Sequence, residues 1–470
     1  MATAEQVVPL ADRRALRERY VGKSLLDLPT PGIILDADRI RRNCRAMLES
    51  CQSLGLQWRA HVKTHKTIEV SRLQVGEDKT RPANFVVSTL AELEFLSPLL
   101  ASYKAEGRDC NAIYGFPVSP EVVPRLAKVL QSVGPGSVGL LVDCAAQVAT
   151  AASIKTMSGG VLPLVHVKVD AGAHRAGLVP GTRAFEDLVK ALLEAHAAGH
   201  LVFSGLYSHA GHSYNGDSRP SAVSMLVTEL DIMIRGAAYT TSLLPPPSPQ
   251  LSLTISAGAT PTALAIHNVT VAHEPDEGEL TSCNKLSALL QKAAASDLKV
   301  EVHAGVYPFL DLQQLATKSA PDSVLSWENL AMTAIVEVVS IYEGRAKDSG
   351  TEVLVRAGIL ALGRESCKAY GGLAMVAPWG IEGATMPRGS VEDNADGWAV
   401  DRISQEHGIL TWLGAEKGRK ATRLHVGQKL QLWPNHACIT ASPFDWYYVV
   451  DSAQGAGEVV VDVWTKARGW

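Results

Sequence analysis

Between about residue 55 and residue 305, short apolar, β-branched runs alternate with stretches whose apolar positions recur at helical spacing. The runs fall at 56–62, 84–88, 111–116, 138–144, 162–170, 201–208, 251–256 and 299–302, and the stretches between them include 91–100, 121–130, 145–155 and 184–196. Short apolar, β-branched runs of this kind, each followed by a helix-like stretch, predict strands of a parallel sheet. Eight such strands alternating with helices predict a (β/α)8 TIM barrel. An open doubly wound sheet has the same grammar, and the count of eight favours closure.

After Val306 the grammar changes. Residues 331–343, 351–358, 428–433 and 447–451 are strand-like and are separated by turns rich in Gly, Pro and Asp, the texture of a small, mostly β domain. The first 28 residues read as a helix and a connector that pack on this C-terminal domain. The expected fold class is therefore α/β: a barrel over residues 29–310, and a β-rich domain formed by 1–28 and 311–470. Residues 244–250, with three consecutive prolines, and 389–397 read as loops.

Composition narrows the picture. Of 470 residues, 46% are hydrophobic and 20% charged, as in a globular protein, and the formal charge of -4 comes without a basic run that would suit nucleic acid. No apolar run approaches the roughly 20 residues of a membrane helix, and the N-terminal stretch lacks a signal-peptide core. The seven cysteines are odd in number and irregular in spacing, which argues against a disulfide framework and for a reducing, cytoplasmic setting.

In a barrel, catalytic groups sit at the C-terminal ends of strands, and the chemistry-bearing residues here fall there repeatedly. The first run ends in Arg59-Ala60-His61-Val62-Lys63-Thr64-His65-Lys66. A lysine backed by apolar residues can lose its proton through desolvation and become a nucleophile, although a lone lysine is most often simply exposed. The fifth run ends in Asp170-Ala171-Gly172-Ala173-His174-Arg175, where Arg175 could reach a phenolate or carboxylate. The sixth ends in Tyr207-Ser208-His209-Ala210-Gly211-His212, a polar aromatic group suited to a heteroaromatic ligand. The seventh ends in Ser256-Ala257-Gly258-Ala259-Thr260-Pro261-Thr262, where small residues before a helix predict a phosphate site built from backbone N–H groups. The eighth brings His303 and Tyr307. In the β domain, His436 and Cys438 are two residues apart, a spacing that on a strand points both side chains to one face. Imidazole and thiolate both suit zinc. The polar segment around Ser404–His407 carries no function legible by itself.

Taken together, RAHVKTHKT (59–67), KVDAGAHRAGL (168–178), YSHAGHSY (207–214), SAGATPT (256–262), SQEHGIL (404–410) and HACIT (436–440) resemble the fold-type III pyridoxal-phosphate enzymes, whose members include alanine racemase. The closer resemblance is to the eukaryotic D-serine dehydratases, particularly the fungal form, and it runs over nearly the whole chain. It implies a pyridoxal 5'-phosphate cofactor held as a Schiff base by Lys63 rather than Lys66. It places the phosphate around Gly258, Ala259 and Thr260 with Tyr307 near it, Tyr207 at the pyridine nitrogen and Arg175 at the phenolic oxygen. It implies a catalytic zinc ion on His436 and Cys438, a small D-amino acid substrate and a homodimer. D-Threonine aldolases share the lysine motif but carry an aspartate-containing metal motif, so Cys438 favours a dehydratase. A 3-hydroxyaspartate dehydratase, a racemase with a second base and a non-catalytic cofactor carrier with a bare barrel are the other readings.

Overall fold

The computed structural model describes residues 9–244, 251–455 and 457–470. Residues 1–8 of the expected N-terminal segment and Pro245–Gln250 of the proline-rich loop lie outside the described residues. Two compact units are present: Met47–Gly305 with Ala467–Trp470, and Leu10–Ala46 with Val306–Lys466.

The first unit is a closed barrel of eight parallel strands, β2 (Gln57–His61), β3 (Ala83–Val87), β4 (Cys110–Pro117), β5 (Val138–Val142), β6 (Leu164–Lys168), β7 (Val202–Tyr207), β8 (Thr254–Ala257) and β9 (Lys299–Ala304). Every run expected to be a barrel strand is one. β3 and β5 are buried at all their positions, β5 with an unbroken apolar sequence and β3 with one polar residue, Asn84, which is hydrogen-bonded. The intervening helices start where short polar side chains accept backbone N–H groups: Thr67 from Val70, Thr89 from Glu92, Thr182 from Phe185 and Asp276 from Glu279. Gly205 lets β7 approach β8, since a Cβ there would stand 1.9 Å from the Thr254 carbonyl oxygen.

The barrel closes where β2 pairs with β9, and a buried ion pair ties that seam. Arg59 Nε donates to Glu301 Oε1 at 2.5 Å, its Nη1 donates to Asn111 Oδ1 at 2.6 Å and to Phe85 O at 2.9 Å, and Asn84 Nδ2 donates to Glu301 Oε2 at 3.0 Å. Removing one partner strands the other charge away from water. The substitution Glu301→Leu is therefore expected to destabilise the barrel by about 3–5 kcal/mol, read as a loss in thermal or denaturant midpoint. An unchanged midpoint would show that the seam does not depend on this pair.

The second unit is a nine-stranded sheet in the order β11-β14-β13-β12-β15-β10-β1-β16-β17. Its strands are β1 (Gly32–Asp36), β10 (Met332–Tyr342), β11 (Glu352–Val355), β12 (Ala374–Val376), β13 (Trp398–Ile403), β14 (Gly408–Trp412), β15 (Lys429–Pro434), β16 (Trp446–Val450) and β17 (Asp462–Thr465). The division differs from the expected boundary at residue 29. β1 pairs antiparallel with β10 and parallel with β16, so it is a sheet strand, although its GIILD sequence has the apolar character of a barrel strand. The helix Arg13–Tyr20 belongs to this unit, as expected. Arg13 donates to Asp462 Oδ2 at 3.0 Å, and Tyr20 meets Tyr448 edge to face at 5.1 Å. The SQEH segment is a tight turn joining β13 to β14, closed by Ser404 N donating to His407 O at 2.9 Å. The segment is accounted for structurally.

Candidate active site

The lysine loop begins where β2 ends at His61 and finishes at Thr67, which caps the helix Ile68–Val75. Two of its lysines are sorted by geometry. Lys66, in the left-handed region at φ 55°, forms an ion pair with Glu92 at 3.0 Å, and the other Glu92 oxygen accepts from Ser88 N at 2.7 Å. Lys63 is half-buried, and its backbone N–H donates to His61 Nδ1 at 3.3 Å. Burial keeps His61, His209 and His303 neutral, and the charge of Lys63 adds to it at each. Lys63 therefore shares one electrostatic neighbourhood with three imidazoles from the ends of β2, β7 and β9, whereas Lys66 is occupied by a carboxylate.

That neighbourhood is aromatic. The His303 ring stacks on Tyr207 with centroids 4.4 Å apart and planes 8° from parallel, and His209 lies 6.1 Å from His303. Ser256 Oγ is 3.0 Å from His303 Nδ1, and His209 Nδ1 donates to Gly258 O at 2.8 Å. His303 Nε2 is buried and has no hydrogen-bond partner among the described residues, an orphaned polar atom of the kind a bound polar group satisfies. Tyr207 closes an apolar cluster with Val86, Ile113 and Leu141 from three other strands. Burial raises its phenol far above the usual range, so Tyr207 stays protonated.

Lys168, at the end of β6, was not singled out from sequence. It is buried, its Nζ stands 5.3 Å from the Tyr207 ring centre, and burial draws its ammonium down to about 8 against the opposing pull of Glu229. It is charged below that pH and neutral above it. The affinity of the apoprotein for an anionic aromatic cofactor is therefore expected to fall several-fold as pH rises through about 8. Fluorescence titration of the Lys168→Met variant should lack that limb, and a retained limb would assign it to another group.

The loop after β8 matches the expected phosphate loop in position but not in every donor. Gly258 has φ 143°, and a Cβ there would lie 2.4 Å from His303 O, so only glycine fits. Its amide faces the buried carboxylate of Glu229, and Ala259 N donates to Thr262 Oγ1 at 2.8 Å. Both amides are thus turned inward, contrary to the expectation that they face an anion, because Glu229 and Thr262 hold them. The helix Thr260–Leu264 opens directly after them. Glu229 also accepts from Ser208 Oγ at 2.5 Å, so one carboxylate secures the loops after both β7 and β8.

The other expected residues sit as follows. Arg175 is exposed and contributes to the potential at Lys168, Tyr207 and His209. Tyr307 belongs to the sheet unit, fully buried, with its hydroxyl at the Cys44 thiol. His436 is not on a strand: β15 ends at Pro434, and His436 is the residue before the five-residue helix Ala437–Ala441. The two side chains nevertheless meet. Burial opposes a charge on His436, but the hydrogen bond and charge of Cys438, with Asp311 and Glu365, outweigh it and raise the imidazole to about 9. His436 Nδ1 is buried without a hydrogen bond, 3.5 Å from Glu365 Oε2. Imidazole and thiol fit zinc as a donor pair, and two protein ligands leave positions open for water or substrate. Among the described residues, no group of three or more His, Cys, Asp and Glu side chains is arranged around a common metal position.

Residues 35–269 match the family of the alanine racemase N-terminal domain, and residues 331–450 match the serine dehydratase domain. The chain is 36% identical to the D-serine dehydratase of Schizosaccharomyces pombe, over 98% of this chain and 96% of that one. It is 31% identical to the D-serine dehydratase of Saccharomyces cerevisiae, over 96% and 99%. The structure of D-threo-3-hydroxyaspartate dehydratase from Delftia sp. HT23 aligns with a TM-score of 0.69 at 25% identity, covering 95% of this chain and all of that one. Two further structures of D-threo-3-hydroxyaspartate dehydratase are of variants, one replacing a histidine by alanine and one replacing a cysteine by alanine in a metal-free form.

Proposed function

The chain belongs to the D-serine dehydratase family, and from that premise we propose that it removes water from D-serine, using pyridoxal phosphate on Lys63 and a zinc ion on His436 and Cys438, to give pyruvate and ammonia. The observation that carries this reading is the position of Lys63: a half-buried amine among three neutral imidazoles at the barrel's strand ends, with the neighbouring Lys66 engaged by Glu92.

When bound, the cofactor supplies an electron sink for the negative charge left at Cα. Lys63, displaced by the substrate amine, takes the Cα proton as general base. The imidazoles around it stay neutral and so offer that amine no counter-charge. Tyr207, a protonated phenol, offers the ring nitrogen a hydrogen bond but no negative charge, which makes the sink weaker than one facing a carboxylate. The zinc ion would supply the missing assistance by polarising the β-hydroxyl as it leaves. Arg175 would hold the phenolic oxygen, and the loop would meet the phosphate at Thr260, where the helix starts, because the Gly258 and Ala259 amides are already engaged by Glu229 and Thr262. Hydrolysis of the enamine left by elimination releases ammonia.

The same reading takes the chain as a cytoplasmic homodimer. Among the described residues no disulfide joins two cysteines, and no helix is long and apolar enough to cross a membrane.

The test compares D-serine, D-threo-3-hydroxyaspartate and D-threonine by product. The expected result is ammonia and pyruvate from D-serine at the highest kcat/KM. Faster turnover of D-threo-3-hydroxyaspartate would transfer the reading to the activity named for the Delftia relative, and glycine with an aldehyde from D-threonine would make the chain an aldolase.

A further inference from the structure

Asp311 lies outside every motif found in the sequence, yet it is 1% exposed and both its oxygens hold backbone N–H groups. Oδ1 accepts from Gln314 N at 2.9 Å, which caps the helix Leu312–Thr317. Oδ2 accepts from Ala437 N at 2.8 Å, a contact across 126 positions to the residue between His436 and Cys438. A helix cap needs only the first of these bonds. The second fixes the first peptide of the helix Ala437–Ala441, and with it the spacing of the two side chains on either side.

The same segment is tied down from further sides. Gln313 N donates to Asn435 O at 3.1 Å, Asn435 Nδ2 donates to the carbonyls of Glu365 and Gly372, and Thr440 Oγ1 donates to Leu362 O at 2.7 Å. Two of these partners carry carboxyl groups, Asp311 and Glu365, and the potential of both acts on His436; Asp311 is the one that is fully buried and bonded to the peptide between the pair. That charge has a reason. A divalent ion on one thiolate and one neutral imidazole keeps a net single positive charge, and a buried positive charge is costly without a nearby anion. Burial pushes the Asp311 carboxyl up, while His436 and the backbone N–H groups it accepts pull the other way, and a cation at the pair would draw it to the charged form that supplies that anion.

We propose that Asp311 is the positioning residue of the metal pair: it fixes the Ala437 peptide so that His436 and Cys438 face one ion, and it neutralises the charge that the ion brings. The proposal rests on the zinc reading above, and its test separates the two. Chelated enzyme, with cofactor retained, is titrated with cobalt(II), and the near-ultraviolet thiolate-to-cobalt absorption is followed in the unaltered chain and in Asp311→Asn, Ala437→Pro and Cys438→Ser variants. Asp311→Asn keeps the shape and one acceptor but removes the charge. Ala437→Pro removes the N–H and leaves the carboxylate in place, and the extended backbone of His436 (φ -135°, ψ 101°) is one that a following proline accepts.

Both are expected to bind cobalt about 10- to 100-fold more weakly, with the cofactor absorbance kept and the metal-free unfolding midpoint within a few degrees of the unaltered enzyme. Should Asp311→Asn fail to fold, Ala437→Pro decides alone. Unchanged cobalt affinity in the folded variants, with the absorption abolished by Cys438→Ser, would overturn the role of Asp311 and leave the metal pair standing. Absence of the thiolate absorption from the unaltered enzyme would overturn both.

Discussion

Replacing Lys63 by alanine is expected to lower turnover of D-serine by at least about 10³-fold and to remove the visible absorbance of lysine-bound pyridoxal phosphate. The size of the effect follows from two losses at one atom, the covalent anchor and the base. The matching control is Lys66→Ala, three residues away. Lys66 is held by Glu92, so its loss should cost stability while leaving the lysine-bound absorbance in place. If Lys66→Ala abolished the absorbance and Lys63→Ala kept it, the assignment would reverse.

The second large effect is expected at the other end of the chain. Cys438→Ala, or removal of metal by a chelator, should lower dehydration by about 10²- to 10⁴-fold while the cofactor absorbance persists. The reasoning is electronic. Hydroxide is a poor leaving group, and Tyr207, kept a neutral phenol by burial, would add no charge to a ring nitrogen that it faced, so the proposed reading needs assistance at the β-oxygen. His436→Ala should behave like Cys438→Ala, because the reading gives the metal these two side chains together and each would lose the ion without the other. Zinc added back to the chelated enzyme should restore activity, and zinc added to Cys438→Ala should not. Activity in Cys438→Ala equal to that of the unaltered chain would remove the thiol from the reaction.

Much of this architecture was legible in the sequence, and the reasons are physical. A strand buried on both faces is mostly apolar, so the barrel strands were recognisable by their apolar, β-branched runs even where a buried polar residue such as Arg59, Asn84 or Glu301 interrupts one. Boundaries were less legible. The GIILD run of β1 is as apolar as a barrel strand, and only its hydrogen-bond partners, β10 and β16, assign it to the sheet. His436 and Cys438 were read as strand neighbours by their two-residue spacing. The chain instead turns after Pro434, and a helix start brings the pair together.

Within the barrel, His61, His209 and His303 were visible only as members of motifs, because their stacking and shared neutrality arise from strands far apart in sequence. Lys168 and Glu229 were missed. Lys168 has the strand-end position that could have flagged it, in the KVDAG run directly before the turn. Glu229 lies mid-helix in a 24-residue segment, where nothing local marks a carboxylate as buried. The inward-turned amides of Gly258 and Ala259 were likewise beyond reach, since composition shows which backbone can form a phosphate loop but not which N–H groups the protein itself has claimed.

The central claim is that Lys63 and a metal on His436 and Cys438 act together on a D-hydroxyamino acid. Its most direct test is pyruvate release from D-serine and from L-serine by the purified enzyme, before chelation, after it, and after zinc is restored. The predicted result is pyruvate from D-serine alone, lost on chelation and recovered with zinc. Pyruvate from L-serine alone, or an undiminished rate from D-serine in chelated, metal-free enzyme, would contradict it.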